Sequence, residues 1–410
     1  MRTVARAIAA VILLLFAWRS GGSRTDDGTR HAPMIRFVAK HPWFTAGAAT
    51  GVAIVGAALL VISGVVPIKA SSGHWAITAI MLDFAKIRSV ATHSWGITSP
   101  PLDDEVLIVR GAGHYENGCL PCHGGPGRVI PPVIAAMTPT PPELRERLSR
   151  WRPEELFSIV KHGIKFTGMP AWPAQRRDDE VWAMVAFLRR LPNLDASAYQ
   201  RLVYGEASAA GGSPAMVAAG SEPPRAIREV CWRCHGVNGT GRNSGAFPSL
   251  AGQRAAYLEN SLRAFRDSTR FSGTMEEIAA QLSEGAMREI AIYYERLPVH
   301  SIDATTVDAS AAARGRMIAT TGVPDRDIPA CAECHGPTAL PKNPSYPKLA
   351  GQHVRYLTSQ LTLLKERRRG GSPHVNLMHV FIDRLRLNEI SDVAQYYSAL
   401  PGSAGLPPAR

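Results

Sequence analysis

Three short stretches decide how this chain is read: CLPCH at Cys119–His123, CWRCH at Cys231–His235 and CAECH at Cys331–His335. They use all six cysteines of the 410 residues, so none is left for a disulfide. A Cys-x-x-Cys-His string is the attachment signature of covalent c-type haem. Residues three apart share one face of a helical turn, so both thiols can add to haem vinyl groups. The histidine that follows then lies under the iron as its proximal ligand. A redox dithiol or half a zinc site is the competing reading of Cys-x-x-Cys alone. Three recurrences that exhaust the cysteines favour three covalently bound haem c groups, held by Cys119 and Cys122, Cys231 and Cys234, and Cys331 and Cys334, with His123, His235 and His335 on the irons.

Outward from the motifs, the second and third segments repeat. FPSLAGQRAAYL (Phe247–Leu258) returns as YPKLAGQHVRYL (Tyr346–Leu357), and both copies close on a helical pattern ending Leu-Pro, MREIAIYYERLP and ISDVAQYYSALP. The first segment shares the closing frame (VWAMVAFLRRLP) but carries VKHGIKFTGMPAWP in its middle, so it is a relative and not a third copy. No alternating strand pattern of useful length occurs, which predicts an all-α fold. The expected domains are residues 101–196, 225–300 and 301–402. Residues 197–224 between the first two, rich in Ala, Gly, Ser and Pro from Glu206 to Pro224, read as a flexible linker. The shorter second connection predicts that domains two and three pack as a unit.

Covalent haem attachment implies export. Ile8–Trp18 is an 11-residue apolar stretch, too short to span and similar to a signal h-region. The 26 residues Trp43–Ile68 hold no charge and predict a transmembrane anchor over 43–68, after a cytoplasmic or signal segment 1–42. Translation from Met34 would give a compact signal-anchor, MIRFVAKHPWF followed by the span. Residues 1–99 carry 10 Lys/Arg against 3 Asp/Glu, with Arg30, Arg36 and Lys40 ahead of the span, which places the haem segments outside. Most of the net charge of +12 is therefore topology signal, and no nucleic-acid partner is expected. In the juxtamembrane helix 69–100, Trp75, Ile80, Phe84 and Ile87 form a helical stripe expected to pack on its own domain, with an interfacial helix as the minority reading. The basic run Lys365–Arg369 reads as solvated helix surface, or less often as a steering patch for an acidic redox partner.

The sixth ligand separates a carrier from an enzyme, because an open iron binds small molecules and a methionine-closed one passes electrons. Met378 is the only methionine after His335, and the repeat maps Met275 onto it. Met169 of the TGMPAW loop completes the set, at a His–Met separation of 46 residues against 40 and 43. Met137, Met184 and Met287 are the alternatives, the last two reading as core. His374 and His379 read as surface histidines. Prolines downstream of each motif (Pro131 or Pro132, Pro248, Pro347) are candidates to accept the proximal imidazole N–H.

The haem motif, downstream proline, distal methionine and aromatic closing helix resemble class I c-type cytochromes. Residues 221–401 resemble the dihaem cytochrome c-four family through PxLAGQ, the following Tyr-Leu and the late methionine. That resemblance implies a periplasmic electron carrier, not an enzyme, with two packed His/Met haem domains. Residues 101–196, which resemble single-haem cytochromes with a GMPAW distal loop, and the N-terminal span depart from it, so the expected fold is three class I haem domains behind one N-terminal transmembrane helix. Its place would be the bacterial inner membrane with the haem domains in the periplasm and membrane lipid around 43–68. The partners implied are a terminal oxidase, another cytochrome or a dehydrogenase subunit. The alternative is the cytochrome subunit of a membrane alcohol, aldehyde or sugar-acid dehydrogenase. A haem peroxidase or reductase would need an open iron.

Overall fold

The computed structural model describes residues 42–66, 68–205, 222–299, 307–338, 342–371 and 374–402. The expected signal stretch Ile8–Trp18 and most of the expected linker lie outside these residues. The chain divides into two units, residues 1–73 and 74–410.

In the first unit, α1 (Pro42–Ile62) is a 21-residue helix without a charged residue, and its described side chains are exposed. The described residues do not support the expected span over 43–68: the helix stops at Ile62, and Thr45, Gly47, Thr50, Gly51 and Gly56 dilute its apolar character. Among the described residues no helix is long and apolar enough to cross a membrane.

The second unit is helical, and its described residues hold no β-strand, only isolated bridges at Gly125/Arg128 and Val323/Ile328. It opens with α2 (Ala76–His93), which packs on α4 (Pro153–His162). The predicted stripe packs inward only at its end: Ile87 is half-buried, whereas Trp75, Ile80 and Phe84 are exposed, with Ile77 and Met81 beside them.

In the first haem segment α3 (Glu105–Gly118) starts on the cap Asp104, whose carboxylate accepts from Val106 N–H at 3.0 Å. It crosses α5 (Asp178–Arg190) face to face. The crossing is so close that a Cβ on Gly111 would lie 2.1 Å from the Ala183 carbonyl. In the third segment α10 (Ala309–Thr321) crosses α13 (Leu387–Ala399) in the same manner, with Gly315 over the Asp392 carbonyl at a Cβ distance of 1.9 Å. Neither backbone oxygen can swing away without breaking helix geometry. Gly315→Ala is therefore expected to cost about 1–3 kcal/mol or more of third-domain stability by overpacking. Denaturant unfolding checks this, and an unchanged midpoint would contradict the crossing.

The middle segment packs α7 (Ala255–Arg266) on α8 (Met275–Ala280) and α9 (Glu284–Arg296); in the third, α11 (Val354–Lys365) packs on α12 (Val375–Ile382) and α13. The repeated PxLAGQ motif explains the pairing of these two segments. Gln352 accepts from Ser249 N–H (2.9 Å) and donates to Ser249 O (2.9 Å). Gln253 does the same with Lys348, accepting from its N–H (2.8 Å) and donating to its carbonyl (2.9 Å). Each motif's glutamine thus clasps the variable residue of the other motif, a reciprocal lock with pseudo-twofold character.

The expected linker over 197–224 is corrected at its start. Asp195 caps α6 (Ala196–Tyr204), and Tyr199 and Val203 are buried in the first segment's core. Tyr204 then stacks on Trp232 (5.9 Å), while Arg242 donates to the carbonyls of Leu202 (3.1 Å) and Val203 (2.9 Å). The apolar spacing of Tyr199, Val203 and Tyr204 is a short amphipathic helix that the polar linker beyond it hides. The first haem segment therefore packs directly on the second.

Candidate haem sites

Each motif is one helical turn, Leu120–His123, Trp232–His235 and Cys331–His335. In the first, the His123 and Cys122 N–H groups both return to Cys119 O (2.9 and 3.1 Å). All the cysteines are free; five are half-buried and Cys334 is exposed. Burial pushes the Cys119 and Cys231 thiols up to about 12, and Cys234 and Cys331 to about 11.

The three histidines share one arrangement. His235 Nδ1 lies 3.2 Å from Pro248 O and His335 Nδ1 2.9 Å from Pro347 O. His123 Nδ1 lies 2.9 Å from Pro142 O, which corrects the expectation of Pro131 or Pro132. The first segment carries 19 residues from its histidine to the accepting proline against 13 and 12 in the other two, so the first prolines downstream are not the acceptors. A carbonyl only accepts, so each Nδ1 carries the proton and each Nε2 keeps its lone pair for a metal. Burial also holds all three imidazoles below the usual histidine range, favouring the neutral, ligating form.

A hydroxyl that sequence reading missed braces each turn. Tyr294 donates to Gly236 O (3.1 Å) and Tyr397 to Gly336 O (3.1 Å), both from the closing helix. In the first segment the bond comes from the opening helix, Tyr115 to Gly124 O (2.7 Å). The doubled tyrosines of MREIAIYYERLP and ISDVAQYYSALP carried that signal.

In the third segment a cavity of about 210 Å³ gathers Cys331, Cys334, His335 and Met378. Met275 opens α8 and donates its N–H to Ser272 Oγ (3.2 Å); Met169 donates its N–H to Thr167 Oγ1 (3.1 Å). Both side chains are half-buried. Met184 and Met287 are fully buried among core residues, whereas Met137 lies against Gly168. His374 and His379 are not surface residues: both are half-buried, and His374 lines the same cavity as Met378.

The cavity also contains charge that the protein leaves unbalanced. Arg270 and Arg369 occupy equivalent positions in the two copies, and both line it. Among the described residues Arg270 bonds the hydroxyls of Tyr257, Ser261 and Tyr356, Arg369 reaches only Tyr257, Arg369 Nε is buried with no partner, and neither meets a carboxylate. Two buried guanidiniums without a carboxylate call for an anion. Haem propionates meet that demand, so the residues present fit the group. Of the run Lys365–Arg369 only Glu366 and Arg367 are solvated surface. Lys365 caps the carbonyls of Asp383 and Leu385 (2.8 Å each), Arg368 donates to Arg176 O (2.6 Å), and Arg369 points inward.

Residues 107–188 match the family model for cytochrome c oxidase, cbb3-type, subunit III, and residues 225–294 match that for cytochrome c. Cytochrome c4 of Pseudomonas aeruginosa is 30% identical over 42% of this chain and 84% of its own length. The chain belongs to the cytochrome c4 family. The thiosulfate dehydrogenase electron acceptor of Thiomonas intermedia is 35% identical to this cytochrome over 44% of the chain and 81% of its own length. A solved cytochrome c4 of Acidithiobacillus ferrooxidans aligns at 31% identity over 42% of this chain and 98% of that one, with a TM-score of 0.37. The cytochrome carries covalently bound haem c, transfers electrons and works with redox protein partners.

Proposed function

We propose that this cytochrome is a membrane-attached trihaem electron carrier of the bacterial periplasm. The carrying observation is the threefold recurrence of one built site, a Cys-x-x-Cys-His turn whose imidazole Nδ1 donates to a proline carbonyl. Haem c supplies one-electron iron chemistry when bound. The chain's own residues do the rest: the cysteines attach, His123, His235 and His335 ligate from one side, and Met169, Met275 and Met378 close the other. Methionine closure favours carriage over small-molecule chemistry.

Two resemblances support the direction of flow. The first domain's likeness to an oxidase subunit favours delivery to a terminal oxidase, and the thiosulfate dehydrogenase electron acceptors favour a periplasmic thiosulfate-oxidising donor over an alcohol, aldehyde or sugar-acid dehydrogenase. Attachment to the inner membrane is supported by the uncharged, exposed α1 and the exposed apolar face of α2, both of which need apolar surroundings.

Haem content tests the central claim. The purified cytochrome is expected to hold three haems per chain by alkaline pyridine difference spectra, and two would overturn the trihaem reading. Membranes washed with carbonate should retain the full chain and release a variant in which a cleavable secretory signal replaces residues 1–93; equal release of both would remove the attachment.

A further inference from the structure

We infer that Glu180, a residue of the first haem domain, positions the axial methionine loop of the second domain together with that of its own. The inference rests on the reading of Met169 and Met275 as iron ligands. Glu180 lies in the first turn of α5 and is 3% exposed. On its own side, Oε2 accepts from Trp172 Nε1 (3.3 Å), three residues beyond Met169 in the same loop. On the other side, Oε1 accepts from Ser272 Oγ (2.7 Å) and Oε2 from Gly273 N–H (2.7 Å). Ser272 Oγ in turn accepts from Met275 N–H (3.2 Å), so one carboxylate reaches both loops in at most two hydrogen bonds.

The surroundings make this a fixed junction. Arg177 pairs with Glu180 (3.0 Å) and donates to Phe271 O (2.6 Å), so three successive residues, 271 to 273, are held from the first domain. Trp172 lies so close to Gly273 that a Cβ there would sit 2.2 Å from Trp172 Nε1. Charge-assisted bonds in a buried site are strong, and breaking one leaves donors with no water to turn to. Partners that orient a ligand loop also tune the metal it serves. The two distal loops therefore move as one body, and the two irons have their potentials set jointly.

The test is Glu180→Ala in the full-length holoprotein, read by the ligand signals and not by turnover. In the reduced protein each iron-bound methionine gives its own strongly upfield-shifted methyl resonance, assigned with Met169→His and Met275→His. Glu180→Ala is expected to displace the Met169 and Met275 resonances, leave that of Met378 in place, and shift two of the three components of an optical redox titration. An unmoved Met275 resonance overturns the inference. Glu105→Ala, at the exposed Glu105–Arg190 ion pair of the same domain, should move none of them. If Glu180→Ala does not accumulate, Glu180→Gln carries the same expectation, since an amide cannot accept from both Ser272 and Gly273 while pairing with Arg177. Fewer than three shifted methyls in the unsubstituted protein would sink the ligand reading itself, an outcome distinct from three methyls of which Met275 ignores Glu180.

Discussion

Replacing Cys331 and Cys334 together by alanine is expected to leave two haems per chain and a third domain that no longer unfolds cooperatively. The domain is built around the cavity of about 210 Å³ that these cysteines line. Leu357, Leu361, Leu364, Ile382, Leu385 and Val393 face it, so an unfilled cavity would forfeit their contacts. At ~24 cal/mol per Å³ that amounts to about 5 kcal/mol, comparable with the whole stability of a small domain, about 5–15 kcal/mol. The two uncompensated guanidiniums, Arg270 and Arg369, add to the cost. Haem is therefore core as well as cofactor, and the thiols hold the core in place. Haem content, intact mass and limited proteolysis check the outcome. Cleavage should concentrate between residues 307 and 402 while α3–α5 stay protected. Retention of three haems, or an unchanged melt, would contradict the argument.

The effect should not spread evenly, because the clasp of Gln253 and Gln352 ties the third domain to the second, whereas Arg355 and Arg368 give the third domain ion pairs to Asp104 and Asp178 of the first.

What was legible in the sequence follows from what is periodic. The motif turns, the closing helices and the paired repeat are local or repeated patterns, and each could be read without knowing what packs on what. The proximal prolines were readable where the repeat fixes the spacing, at Pro248 and Pro347, and misread at Pro142, where the first segment departs from it. Contacts between segments left no periodic trace. Glu180 sits in an acidic first turn, which by itself suits the helix dipole, and nothing in the sequence says its partner lies 92 residues on at Ser272. The run Lys365–Arg369 misled for the same reason: a string of charges carries no record of which carbonyls or phenols its members meet. The two glutamines of PxLAGQ were visible as a repeat, but their reciprocal bonds needed both copies in space.

Met378→Ala is expected to open one iron of the three. The reduced variant should bind one carbon monoxide per chain where the unsubstituted cytochrome binds none. It should also lose about a third of the methionine–iron absorption, and one redox component should fall, since methionine in place of other closures raises the potential. The mutation removes a side chain on α12 that lines the same cavity as His335 and leaves the cysteines and the Pro347 carbonyl untouched, so haem content should stay unchanged. One neighbour can alter the outcome. His374 lines the same cavity with its ring 5.3 Å from that of Tyr346, whereas His379 Nε2 is engaged by Arg369 O at 3.3 Å. If His374 takes the place of Met378, the single variant lowers the potential without binding carbon monoxide, and Met378→Ala with His374→Ala restores the binding. Full absorption and an unshifted titration in Met378→Ala would show that Met378 is not the ligand. Carbon monoxide binding by the unsubstituted protein would instead mean that a methionine yields its place, and the protein would then be suited to small-molecule reduction as well as to electron carriage.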